Sequence, residues 1–72
     1  MPRYFFDVHD GTSSVDKEGT FCRDVASARR EALRTAGAML SDAQEMWTGE
    51  LWTMEVRDEA GVIVVKLTFS AI

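Results

Sequence analysis

Residues 3–9, Arg-Tyr-Phe-Phe-Asp-Val-His, set Tyr4, Phe6 and Val8 on one side and Arg3, Phe5, Asp7 and His9 on the other. That is the two-residue alternation of a half-buried strand. Asp10-Gly11 follows, a pair suited to a two-residue hairpin turn whose central positions take positive φ. Residues 13–18, Ser-Ser-Val-Asp-Lys-Glu, read as a weak polar returning strand closed by Gly19, and that polarity suits a sheet edge. From residue 25 to about 43 the period changes to 3.6: Val25, Ala28, Ala32, Ala36, Met39, Leu40 and Ala43 share one helical face, opposite Arg30, Arg34, Ser41 and Glu45. Asp24 stands where a carboxylate can accept from the free amides of the first turn. The apolar face is mostly alanine, which lets a helix lie close on a sheet that supplies the bulky groups. Gly37 weakens the helix by roughly 1 kcal/mol relative to alanine. Ser41 and Gln44 match a capping box that would break it near 41, whereas Trp47 continues the apolar stripe toward Gly49. Residues 50–58 alternate again, Trp52, Met54 and Val56 against Leu51, Thr53, Glu55 and Arg57. After the turn Asp58-Glu59-Ala60-Gly61, residues 62–70 form the strongest strand, with Ile63, Val65, Leu67 and Phe69 against Val62, Val64, Lys66 and Thr68.

The order is ββαββ. It predicts an α+β single domain over 1–72, a two-layer sandwich with one helix on a four-stranded sheet. Phe5, Val62 and Val64 make the second faces of the first and last strands apolar, which favours central positions for both. Two hairpins joined by the helix then give the spatial order 2-1-4-3, counting strands along the chain. Strands 3–9 and 62–70 would run parallel in the middle, a β-grasp-like arrangement with a right-handed crossover. The order 1-2-3-4 is the alternative.

The chain has 72 residues. A domain of that size buries only about 60% of its unfolded surface, and its core nets roughly 3–5 kcal/mol unless something staples it. With one cysteine (Cys22) and one histidine (His9), an internal disulfide is impossible and a four-ligand structural zinc site is poorly supplied. Good packing or oligomerisation remains. The net charge of −4 argues against a dedicated nucleic-acid or membrane-surface protein. No window approaches the ~20 apolar residues of a membrane span, and the first residues lack the basic-then-apolar layout of a secretion signal. The expectation is a cytoplasmic protein with a reduced thiol.

Three constellations could carry chemistry. Asp7, His9 and Asp10 could act as metal ligands or an acid–base pair. One short segment would leave a metal half-coordinated, however, and a strand ending in an Asp-Gly turn explains the same residues. Arg23, Arg29, Arg30 and Arg34 gather half of the eight basic residues within twelve positions. They form a candidate patch for an anion or acidic partner, or else a solvated face in which Arg29 lays its stem over the sheet edge and pairs with an acid. No stacking platform beside them suggests nucleic-acid binding. Cys22 precedes a helix N-terminus, which lowers a thiol's pKa, yet a small apolar filler is the simpler role. No nucleophile elbow, phosphate loop, dinucleotide fingerprint or paired-carboxylate motif occurs, so no cofactor is expected. Phe5, Leu51, Val62 and Val64 fall on the sheet face away from the helix. Rimmed by Glu55, Arg57 and Lys66, they form a candidate interface, and a self-complementary one would make a twofold dimer.

The opening MPRYFFDVHDG (residues 1–11), ARREAL (28–33) and VRDEAG (56–61) together resemble a family of short bacterial proteins known as a domain of unknown function. The opening undecapeptide is the most specific of the three, and the likeness covers most of the chain. The resemblance implies a bacterial cytosolic protein and assigns no residue a catalytic role. The function expected is a non-enzymatic interaction module, self-associating through the open sheet face. A nucleic-acid or anion-binding regulator built on the helix arginines is the first alternative, and a small enzyme or metal protein using Asp7, His9 and Asp10 the second.

Overall fold

The computed structural model describes residues 1–43 and 46–71. Its elements are β1 (Arg3–His9), β2 (Ser13–Ser14), β3 (Thr20–Phe21), α1 (Val25–Asp42), β4 (Trp52–Arg57) and β5 (Ile63–Phe69). The α+β class and the single helix on one sheet are as the periodicities predict. Asp24 caps α1 as expected, its carboxylate accepting from the Ser27 amide at 2.8 Å. Ala28, Ala32, Ala36 and Leu40 form the buried row of the helix, so its backbone approaches the sheet closely. It lies on β4 and β5, over Trp52, Met54, Val56 and Val65, with Met54 and Val56 fully enclosed. The helix stops at Asp42 and is capped by Ala43, rather than running on toward Gly49. Gln44, the second half of the expected capping box, lies outside the described residues, as does Glu45.

The strand order differs from the expectation. The sheet runs β2-β1-β4-β5, with β3 also on β1, and every pairing is antiparallel. The neighbour of 3–9 is therefore the third predicted strand (52–57), with Phe5 opposite Arg57, Asp7 opposite Glu55 and His9 opposite Thr53. The apolar strand 62–70, expected parallel to β1 at the centre, is an outer edge. The physical reason lies in the second face. Central β4 carries Thr53, Glu55 and Arg57 there; Glu55 pairs with His9 of β1 and Lys66 of β5, and Arg57 pairs with Asp7 of β1. A polar second face thus does not exclude a central position.

The polar segment does form the opposite edge, but in two pieces. Ser13–Ser14 pairs with Val8 and His9, and Thr20–Phe21 pairs with Arg3 and Tyr4. Residues 15–19 leave the ladder between them. The turn before β2 spans three residues, 10–12, with Gly11 alone at positive φ, instead of the expected two-residue form. Gly19, at φ +75, returns the chain to the edge where a Cβ would lie 2.9 Å from the Tyr4 carbonyl oxygen, so glycine is required there.

Candidate interaction surfaces and the charge network that shapes them

The departure of residues 15–19 from the ladder leaves backbone donors of β1 in need of partners. Asp16 supplies one: its Oδ2 accepts from the Phe6 amide at 3.1 Å. Its Oδ1 accepts from the amides of Glu18 and Gly19, both at 3.0 Å. The Asp16 amide in turn donates to Asp7 Oδ1 at 2.9 Å. Arg57, reaching over from β4, donates to Asp7 Oδ2 at 2.6 Å and Oδ1 at 3.2 Å, and to the Asp16 carbonyl at 3.0 Å. One guanidinium therefore fastens the interrupted edge to the sheet. Burial raises the Asp7 carboxyl, but the Arg57 hydrogen bond, the Asp16 amide and the charges of Arg57 and His9 outweigh it and hold it below its ordinary range. Asp16 is likewise raised by burial and brought below its ordinary range by the amides of Gly19, Phe6 and Glu18, with the Arg57 charge behind them. Arg57 gains from the same contact, pushed up by the Asp7 hydrogen bond.

Further along the same face, His9 Nδ1 lies 3.0 Å from Ser13 Oγ and Nε2 lies 2.9 Å from Glu55 Oε1, while Lys66 Nζ is 3.7 Å from Glu55 Oε2. Serine, histidine and glutamate in line invite comparison with a nucleophilic triad. The hydroxyl here lies on a regular paired strand, with no strained elbow to present it. Asp7, His9 and Asp10 do not converge: Asp7 binds Arg57, His9 bridges Ser13 and Glu55, and Asp10 accepts from the Thr12 hydroxyl and amide. Among the described residues, no three histidine, cysteine or acidic side chains gather to hold a metal.

The four candidate interface residues do not form one patch. Phe5 is half-buried, with the guanidinium of Arg57 4.9 Å and that of Arg3 5.4 Å from its ring centre, as cation–π contact requires. Leu51 and Val62 are 65% and 55% exposed, but they flank opposite ends of the β4–β5 hairpin. Val64 is half-buried where the register shifts beside Val56/Arg57. Arg23, Arg29, Arg30 and Arg34 are all exposed. Arg30 donates to Ser27 and Arg34 to Glu31, as a solvated helix face does. Burial pushes the Cys22 thiol up, and Glu31 and Asp24 add to that, which opposes a reactive thiolate.

Two surfaces had no counterpart in the sequence reading. One is the outer edge of β5. Tyr4, Phe6 and Val8 turn their backbone groups toward β2 and β3, so Phe5, Asp7 and His9 bond to β4. By the alternation of antiparallel ladders, Trp52, Met54 and Val56 then bond to Phe69, Leu67 and Val65 of β5. The backbone groups of Lys66 and Thr68 point outward, where no described strand pairs with them. The other surface is a cleft between α1 and β1. The helix lies on β4 and β5, and the cleft opens beside Phe6, the half-buried residue on the inner side of β1 between buried Tyr4 and Val8.

The geometry defines a one-helix, antiparallel-sheet α+β domain with a broken edge on one side and an open edge on the other. The chain belongs to the family described as a domain of unknown function (DUF6894), whose model matches residues 3–70. No curated protein and no solved structure matches it.

Proposed function

We propose that the domain is a non-enzymatic interaction module that self-associates by pairing β5 with β5 of a second copy. The observation that carries this reading is the open edge of β5. The most β-prone segment of the chain, seven residues without proline and with one charge, lies there with outward backbone groups at Lys66 and Thr68. Sheet edges are ordinarily blunted by charge, proline or shortness; β5 has only Lys66 of these, and an edge so lightly protected templates another strand. The molecule is small and lacks a disulfide, which adds to the case for association. The open sheet face, first expected to serve, is a layer of paired charges and supports the reading less well. The buried, unpaired thiol of Cys22 accords with a cytoplasmic setting, and no described helix is long and apolar enough to cross a membrane.

A twofold axis through Leu67 gives the register. Lys66 then lies opposite Thr68, Val65 opposite Phe69, and no two lysines face each other. The test follows from that pairing. Thr68 is exposed, so changing it leaves the protomer intact. Thr68→Lys sets like charges opposite each other twice per dimer and weakens association roughly tenfold, whereas Thr68→Glu faces Lys66 and tightens it about as much. Sedimentation equilibrium reads both constants. Equal effects of the two substitutions, or a wild-type protein that stays monomeric, would contradict the proposal.

A further inference from the structure

Between α1 and β1 lies a cleft of about 340 Å³, within the range of small-ligand sites, roughly 300–1,000 Å³. Phe6 of β1 and Met39 of the helix form its accessible apolar part, with Val8 and Met54 almost fully buried behind them. Asp16 lines it from the interrupted edge and Glu31 from the helix. The cleft is a consequence of the fold. The alanine row seats α1 over β4 and β5, and the break at 15–19 removes the strand that would have lain beside Phe6. The opening is bounded at both ends, because β2 pairs with Val8 and His9 and β3 pairs with Arg3 and Tyr4. An extended peptide cannot run along the edge through these ladders, so the occupant is compact.

Its chemistry is set by the two carboxylates. Asp16 is fixed by three backbone amides. Its negative charge is built into the edge, and Oδ2 receives only one of those bonds. Glu31 bonds to Arg34 and Thr35, but the arginine is exposed and extends from the solvent side. Two acids on facing walls above an apolar floor favour a cation with an apolar body and disfavour an anion of the same shape. We infer that this cleft binds a small amphipathic amine, its alkyl or aryl part against Phe6 and Met39 and its ammonium between Asp16 and Glu31.

The inference is independent of the outer edge of β5, at the opposite end of the strand order, and its test reads a separate signal. Hexylammonium, hexanol and hexanoate share one apolar chain and differ in charge. Each is titrated into the isotope-labelled protein while backbone amide resonances are followed. Hexylammonium should shift Phe6, Val8, Asp16 and Thr35, hexanol the same residues more weakly, and hexanoate none of them. Glu31→Gln, a substitution on the helix surface that spares the core, should weaken hexylammonium about tenfold, toward hexanol. Equal shifts from hexanoate would overturn the charge selection. Absence of shifts at these four residues, or hexylammonium binding unchanged by Glu31→Gln, would overturn the site.

Discussion

Arg57 sits between the Asp7 carboxylate, the Asp16 carbonyl and the Phe5 ring, and the local fold depends on it more than its half-exposed position suggests. Its removal would leave Asp7, 5% exposed, without a counter-charge. Losing one partner of a fully buried pair costs roughly 3–5 kcal/mol. Because the Arg57 side chain is partly exposed, Arg57→Ala should cost less, about 2–3 kcal/mol, read as a shift in urea midpoint at neutral pH. The pH dependence has a definite sign. Asp7 and Asp16 have folded-state pKa values below their ordinary ones. The stability they supply is therefore complete above an unfolded carboxyl pKa of about 4, and it is lost as pH falls through the depressed values. Arg57→Ala should reduce this acid-side loss along with the neutral-pH stability. A mutant with the wild-type acid profile would show that the pair does not set it. Little of this network was legible in the sequence. Asp7 was placed correctly on the face away from the helix, but Arg57 is 50 positions away and only the β1–β4 register brings the two together. The polar run 13–18 predicts a strand through Asp16, although Asp16-Lys17-Glu18-Gly19 carries the signal of a side chain capping a turn that ends in glycine.

The helix and strands were legible because each buries one face, and a buried face writes its period into the sequence. The row Ala28, Ala32 and Ala36 is fully buried, and its small size sets the distance between α1 and the sheet. Ala36→Leu should therefore destabilise the domain by about 1–3 kcal/mol through overpacking. Gly37→Ala, one position on, should stabilise it by roughly 0.5–1 kcal/mol, since an added Cβ there meets nothing within 4 Å. Thermal unfolding of the two variants distinguishes the faces, and a loss of stability in both would mean that the helix is seated differently. The helix expected over 25 to about 43 ends there, and of the two alternatives the run toward Gly49 is not met: Trp47 belongs to the connection that follows, where its Nε1 donates to the Glu50 carbonyl. The strand order departs from the expected one for a related reason. Apolar character on both faces predicts a central strand, while β4 occupies the centre with a second face on which Glu55 pairs with His9 and Lys66 and Arg57 pairs with Asp7.

For the molecule as a whole, the α+β class and the family follow from most of the chain, with the family model covering residues 3–70. The assignment of surfaces required coordinates. The open sheet face looked apolar when Phe5, Leu51, Val62 and Val64 were counted together. In space Phe5 lies beneath two guanidiniums, and Leu51 and Val62 flank opposite ends of a hairpin. What the fold leaves uncovered is the edge of β5, a feature of topology that no side-chain pattern records. The most direct test of the account is hydrogen exchange at the Lys66 and Thr68 amides, which face away from β4, measured across a wide range of protein concentration. Pairing of β5 with a second β5 predicts that both amides are protected and that their protection rises with concentration, while Val65 and Leu67 are protected throughout by β4. Fast exchange at Lys66 and Thr68 at every concentration, with Val65 and Leu67 still protected, would contradict it.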